Sequence, residues 1–214
     1  MRFTKKIKAV LFDFDMTLVD SSYAIHHCTN LLAGHLGFDQ ISREKVLSAI
    51  GLTIEDSWRM FWGDFRQEWV DHYRANYREE EQARLKFFPN TLSTLGKLRG
   101  MGIKVGVVSN RRFARRPVEF MGLTSMLDVV VGLEDVERAK PEPDSLLKGF
   151  EILGVSPSEG LYAGDTDIDM MTTVAAGCRG IGMTTGNFDK KALCEAGAWE
   201  VRDDLGEIPS LIVE

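Results

Sequence analysis

Short apolar runs, nearly unbroken and rich in β-branched residues, recur along this chain. They fall at residues 9–12, 103–108, 129–131, 161–163 and 180–183, and a turn and a helical pattern follow them. A strand with one wet face alternates apolar and polar side chains. A run without alternation is covered on both faces, as strands of a parallel sheet are. Between the runs, Leu92, Leu95 and Leu98 repeat at helical spacing, as do Leu146, Leu147, Phe150 and Leu153, and Met170, Met171, Val174 and Ala175. This alternation predicts an α/β fold: a doubly wound, Rossmann-like, mostly parallel sheet flanked by helices.

One stretch interrupts the pattern. Residues 21–86 show helical spacing and no convincing strand. Trp58, Phe61, Trp62, Phe65 and Trp69 form an aromatic stripe there, suited to packing a small helical bundle rather than to holding a cofactor. Glu79, Glu80 and Glu81 read as a solvated helix face, and Phe87-Phe88-Pro89-Asn90 as the return to the main unit. The expected organisation is an α/β core from 1–20 and 87–214, with a helical insertion over 21–86.

Composition narrows the setting. The 214 residues carry a net charge of -6, which argues against nucleic acid or an anionic membrane as the main partner. Cys28, Cys178 and Cys194 are odd in number and widely spaced, fitting neither a disulfide framework nor a zinc site, so a reducing, cytoplasmic setting is expected. The apolar run after the basic N-terminus ends at Asp13, too early for a signal peptide, and no run approaches a membrane span.

In an open α/β sheet, ligands bind beyond the carboxyl ends of the strands. The first run ends in Asp13-Phe14-Asp15-Met16-Thr17, the second in Ser109-Asn110, and the run at 161–163 in Gly164-Asp165-Thr166-Asp167-Ile168-Asp169. Lys140 stands in Ala-Lys-Pro-Glu-Pro ahead of a further helix. Four groups thus converge on one end of the sheet. Asp13, Asp15, Asp165 and Asp169 bring several carboxylates into one crevice, where like charges raise pKa values or call for a counter-ion. All-oxygen ligands of this kind suit Mg²⁺. A cation, a lysine and hydroxyl or amide donors around a carboxylate make a site for phosphoryl transfer, and aspartate can accept the phosphoryl group covalently. Singly, each motif is weak; the ordered combination is the signal.

That combination resembles the haloacid dehalogenase superfamily, in its phosphoglycolate phosphatase-like branch. Asp13 to Ser21 looks like the first motif of the family, Val107 to Asn110 the second, Lys140 the third and Gly164 to Asp169 the fourth. The resemblance implies that Asp13 attacks phosphorus, and that Asp15 protonates the leaving oxygen and then activates water. It implies that Asp13, the Asp15 carbonyl and Asp165 hold Mg²⁺, with Asp169 behind the metal or orienting Lys140. Ser109 and Lys140 would bind the phosphoryl group, Thr17 would support the loop, and residues 21–86 would form a mobile cap. Met16 departs from the branch, which usually has glycine there.

The function so implied is a Mg²⁺-dependent phosphatase for small phosphate monoesters, phosphoglycolate-like or sugar phosphates. The alternatives are a β-phosphoglucomutase-like mutase or a pyrophosphatase, and beyond these a regulatory or receiver-like phospho-acceptor. The insertion at 21–86 counts against a receiver. A phosphonoacetaldehyde hydrolase would need a cap lysine where Ile54 stands. The expected partner is a small phosphorylated metabolite, with oligomeric state left open. Asn110, Arg111 and Thr53 are candidate substrate contacts: Arg111 follows the second motif, and Thr53 lies in a Gly-Leu-Thr turn that could reach the site. Arg112, Arg115 and Arg116 read as a solvated helix face.

Overall fold

A computed structural model describes residues 6–212. The elements run β1 (Ala9–Phe12), β2 (Val19–Asp20), α1 (Ser22–Leu36), α2 (Arg43–Leu47), α3 (Ile54–Trp62), α4 (Gln67–Asn76), α5 (Arg78–Ala83) and β3 (Lys86–Phe87). They continue with α6 (Thr91–Gly100), β4 (Lys104–Val108), α7 (Arg115–Phe120), β5 (Val129–Val131), α8 (Asp144–Leu153), β6 (Gly160–Gly164), α9 (Asp167–Ala176), β7 (Arg179–Met183), α10 (Lys190–Glu195) and β8 (Glu200–Arg202).

Six strands form one sheet in the order β5-β4-β1-β6-β7-β8, parallel at every pairing. The apolar runs lack alternation because both faces are covered. Val10 and Phe12 join Val105, Val107, Leu95 and Leu98 on one face. Ala9 and Leu11 join Leu146, Phe150 and Tyr162 on the other. The chain winds outward from β1 through β4 to β5, then returns to the far side of β1 with β6. The switch point therefore lies at the carboxyl end of β1, the place where ligands bind in sheets of this kind.

Between β1 and β4 the chain leaves the sheet through β2 and comes back through β3, which pair antiparallel with Val19 opposite Phe87. Helices α1–α5 lie between them, and α1–α4 share an apolar cluster including Cys28, Leu32, Val46, Trp58, Phe61, Trp69 and Tyr73. The aromatic stripe does not run along one helix. Gly63, at φ 75°, ends α3, and Trp69 belongs to α4. Trp62 and Trp69 then meet edge-on, with centroids 6.0 Å apart. Among the described residues no helix is long and apolar enough to cross a membrane.

Candidate active site

Three neighbouring strands deliver the first side chains. Asp13 follows β1, and its N–H donates to the Ala163 carbonyl of β6 at 2.8 Å. Ser109 follows β4, its N–H donating to the Val131 carbonyl at 3.0 Å. Asp165 follows β6 and accepts a 3.0 Å hydrogen bond from the Thr17 hydroxyl. All three are buried.

Lys140 comes from the loop before α8, and Asn110 sets its place. The Asn110 amide accepts from the Lys140 N–H at 2.8 Å and donates to the Lys140 carbonyl at 3.2 Å. Asn110 also donates to the Gly51 carbonyl at 3.0 Å, so the turn at 51–53 does reach the site. Gly51 sits at φ 106°, and a Cβ there would come within 2.9 Å of Thr166. Glycine satisfies both the backbone angle and the close approach. Asn110 is thus committed to positioning the lysine and the turn. Thr53 lines the cleft, but its hydroxyl caps α3, accepting from the Asp56 N–H and donating to the Asp56 carboxylate.

The Lys140 ammonium has three donors and three acceptors: Asp13 at 2.8 Å, Asp169 at 2.6 Å and the Tyr162 hydroxyl at 2.8 Å. Burial alone would lower its pKa, but the two carboxylates raise it above the ordinary lysine value. The lysine is held as a cation against Asp13.

Asp169 does two jobs. One oxygen takes Lys140 and Tyr162, and the other takes the Thr166 N–H at 3.1 Å and its hydroxyl at 2.6 Å. The Asp169 N–H donates back to Thr166, so the pair forms a capping box that starts α9. A Cβ at Gly164 would fall 2.4 Å from the Asp169 carboxyl carbon, so only glycine lets that carboxylate sit beneath β6.

Oxygens of Asp13, Asp165 and Asp169 lie within 4.8 Å of one another. Burial, then the neighbouring carboxylates, push Asp13 up to about 7 despite Lys140. Burial, Asp169 and Asp13 likewise push Asp165 well above the carboxylate range. Asp169 is already satisfied by four donors, whereas Asp13 shares Lys140 with Asp169 and Asp165 takes the Thr17 hydroxyl, which leaves oxygens of both open to a cation. Hard oxygen donors in that state fit a divalent cation.

Asp15 is apart from this cluster. Its side chain turns to Arg111, whose guanidinium donates to both carboxylate oxygens, at 2.8 and 3.0 Å. Burial would raise the Asp15 pKa, but Arg111 holds it below the usual carboxylate range. The other end of Arg111 donates to Glu81 of α5, which accepts a 2.5 Å hydrogen bond from Tyr73. Glu81 is therefore not part of a solvated face; it is 5% exposed and paired. Arg115 is exposed and paired with Glu134 and Asp135, whereas Arg112 and Arg116 line the cleft. Met16 takes φ 55°, a left-handed geometry that glycine adopts freely.

Sequence reasoning overlooked Tyr162, Glu81 and Tyr73 as members of the site. Tyr162 sits in an apolar strand, where it reads as core, and only the pairing of β6 with β1 brings its hydroxyl under Lys140. The cleft encloses about 590 Å³ between Asp13, Asp15 and Ser109 on the sheet side and α3–α5 on the other.

Comparison with known proteins agrees with this geometry. The family profile described as haloacid dehalogenase-like hydrolase matches residues 10–183. A phosphoglycolate phosphatase of Aquifex aeolicus is 31% identical over 176 residues, covering 81% of this chain and 83% of the relative. A pyrophosphatase, PpaX, of Bacillus mycoides is 32% identical over 184 residues, covering 84% of each. A crystal structure described as a haloacid dehalogenase-like hydrolase of Bacteroides fragilis is 31% identical and superposes with a TM-score of 0.86, covering 95% of this chain and all of that one. With the profile spanning the whole run from β1 to β7, and Asp13, Ser109, Lys140 and Asp165 gathered at one switch point, the chain belongs to the haloacid dehalogenase-like hydrolase family.

Proposed function

We propose that this chain is a Mg²⁺-dependent phosphatase for small phosphate monoesters, working through a phosphoryl group carried on Asp13. The observation that carries the reading is the Lys140 ammonium, buried and bonded to Asp13 at 2.8 Å, beside the buried carboxyl group of Asp165. The relatives support the reaction class, since those compared are named for phosphoglycolate or pyrophosphate hydrolysis.

In this reading, Asp13 and Asp165, with the Asp15 carbonyl and with Asp169 behind them, would hold Mg²⁺, whose charge neutralises the carboxylates and the phosphoryl oxygens. Lys140 stays protonated and adds its charge to the oxygens that grow negative at the transition state. The Ser109 hydroxyl donates to a phosphoryl oxygen. An Asp13 oxygen forms a bond to phosphorus as the ester P–O bond breaks. Asp15 delivers its proton to the departing oxygen. It then takes a proton from the water that attacks the phosphoryl-aspartate, so that phosphate leaves, the Asp13 carboxylate is restored and Asp15 is protonated again. Asp15 must exchange the Arg111 fork for a proton before the first step. Because Arg111 is also tied to Glu81 of α5, that exchange is linked to movement of the helices. Residues 21–86 are accordingly the mobile cap that admits substrate and excludes water. The three free cysteines, two of them buried, support work in a reducing cytoplasm.

The test is phosphate release with Mg²⁺ across a panel of metabolite phosphates. Release from at least one monoester, lost in Asp13→Asn and Asp15→Asn, is expected. No release from any member would overturn the reading.

A further inference from the structure

The outer part of the cleft holds four arginines. Arg74 of α4 and Arg78 of α5 face it from the helical side, and Arg112 and Arg116 from the segment after β4. Among the described residues none of the four forms an ion pair with a carboxylate. The surroundings make this unusual. The chain has 32 acidic residues against 26 basic ones, and Arg115, in the same stretch, is held by Glu134 and Asp135. Glu81, the acid beside Arg78, is already taken by Arg111 and Tyr73.

Arg74 and Arg78 feel the others. After burial, the charges of Arg112, Arg78 and Arg116 disfavour the protonated form of Arg74, with Asp71 opposing them, and Arg116 does the same to Arg78, with Glu81 opposing it. Phe113 sits between the two sides at φ 63°, with the guanidinium carbons of Arg74 and Arg116 each 5.3 Å from its ring centroid. Contact with an aromatic face offsets a little of the repulsion and keeps both arginines directed at the cleft. An arrangement of like charges across a seam is completed by an anion. Four guanidiniums match a phosphate dianion far better than a single carboxylate, and arginine binds phosphate through paired hydrogen bonds.

We propose that Arg74, Arg78, Arg112 and Arg116 form a subsite for a second phosphate group of the substrate, distant from the phosphate that is removed, so that the enzyme favours molecules phosphorylated at two positions. The proposal rests on the phosphatase reading above for the position of the reacting phosphate. It also gives the helices a reason to close, because the distal phosphate bonds to both sides of the seam at once.

The experiment compares α,ω-diol monophosphates with bisphosphates of matched chain length, over a series of lengths. Calorimetric Kd values are measured with Mg²⁺ on Asp13→Asn protein, which holds ligand without turnover. At the best length the bisphosphate is expected to bind about tenfold tighter or more, as several charge-assisted hydrogen bonds allow. That preference should fall to near unity when Arg74→Gln and Arg116→Gln are added, and persist with Arg115→Gln, which lies outside the cleft. Each ratio is taken within one preparation and is independent of the folded fraction. Equal affinities for the two ligands, or a preference that survives the Arg74→Gln/Arg116→Gln change, would overturn the subsite. Hydrolysis of the monophosphates by the unmodified protein tests the phosphatase reading separately, so the two can fail independently.

Discussion

Arg111 grips Asp15 by both carboxylate oxygens, at 2.8 and 3.0 Å, and gives its remaining end to Glu81 on α5. One guanidinium thereby joins the loop after β1 to the helices inserted behind it. The three charges are all largely removed from water, so none is easily left alone. Arg111→Ala would strand Asp15 and Glu81 as uncompensated buried carboxylates. It is expected to lower unfolding free energy by about 3 kcal/mol or more. Urea unfolding of the two proteins at neutral pH checks this, and a loss below about 1 kcal/mol would show that water replaces the guanidinium.

Lys140 has no slack in its contacts. Lys140→Met keeps much of the side-chain volume but removes three hydrogen bonds and the charge facing Asp13. A fall in kcat of about 10²-fold or more is expected, the range for deleting a positioned electrostatic group. KM should change much less, because the lost interaction strengthens only as charge develops on the phosphoryl oxygens. Steady-state kinetics at saturating Mg²⁺ on the best monoester of the panel decides it.

The raised carboxylates have a sign that can be checked. A carboxylate whose folded pKa lies above its unfolded value of about 3.9 subtracts stability as pH rises past that value. Asp13, at about 7, and Asp165, higher than normal, both act in this direction in the metal-free protein. A divalent cation binds their ionised forms and reverses the penalty. The gain in Tm on adding Mg²⁺ should therefore be larger at pH 8 than at pH 5. A gain that is equal, or larger at pH 5, would contradict the assignment of these two aspartates to the metal.

Met16 sets two effects against each other. Its left-handed backbone costs about 1–2 kcal/mol relative to glycine. Its side chain is only 3% exposed, and removing a buried methionine side chain costs about 2–5 kcal/mol. Burial outweighs strain, so Met16→Gly should destabilise the protein by about 1–3 kcal/mol even though glycine suits the angle. Thermal or urea unfolding measures the balance.

Much of this architecture is legible in the chain. Residues 9–12 and 161–163 lack alternation because they are covered on both faces, and that one property identifies them as central parallel strands. Their ends then point to Asp13 and Asp165. By contrast, β8 is short and reads Glu-Val-Arg at the sheet edge, so no run of apolar residues marks it. Glu81 sits in a run of three glutamates, and nothing local distinguishes the one that turns inward to Arg111. The stripe from Trp58 to Trp69 keeps helical spacing across a break at Gly63, because rings from two helices, Trp62 of α3 and Trp69 of α4, meet edge-on in one cluster. Arg112 and Arg116 face the cleft for a similar reason: what they oppose is Arg74 and Arg78, roughly forty residues earlier and brought near only by tertiary packing.

The central claim is that the phosphoryl group passes through Asp13. The most direct measurement is acid quench of Asp15→Asn protein after mixing with Mg²⁺ and an aryl phosphate, whose departing oxygen needs no proton, followed by peptide mapping by mass spectrometry. Without Asp15 to activate water, a phosphoryl group should accumulate on the peptide containing Asp13, at Asp13 itself. A phosphoryl group on another residue, or substrate consumed by the unmodified enzyme with no labelled Asp13 in rapidly quenched samples of either protein, would contradict the account.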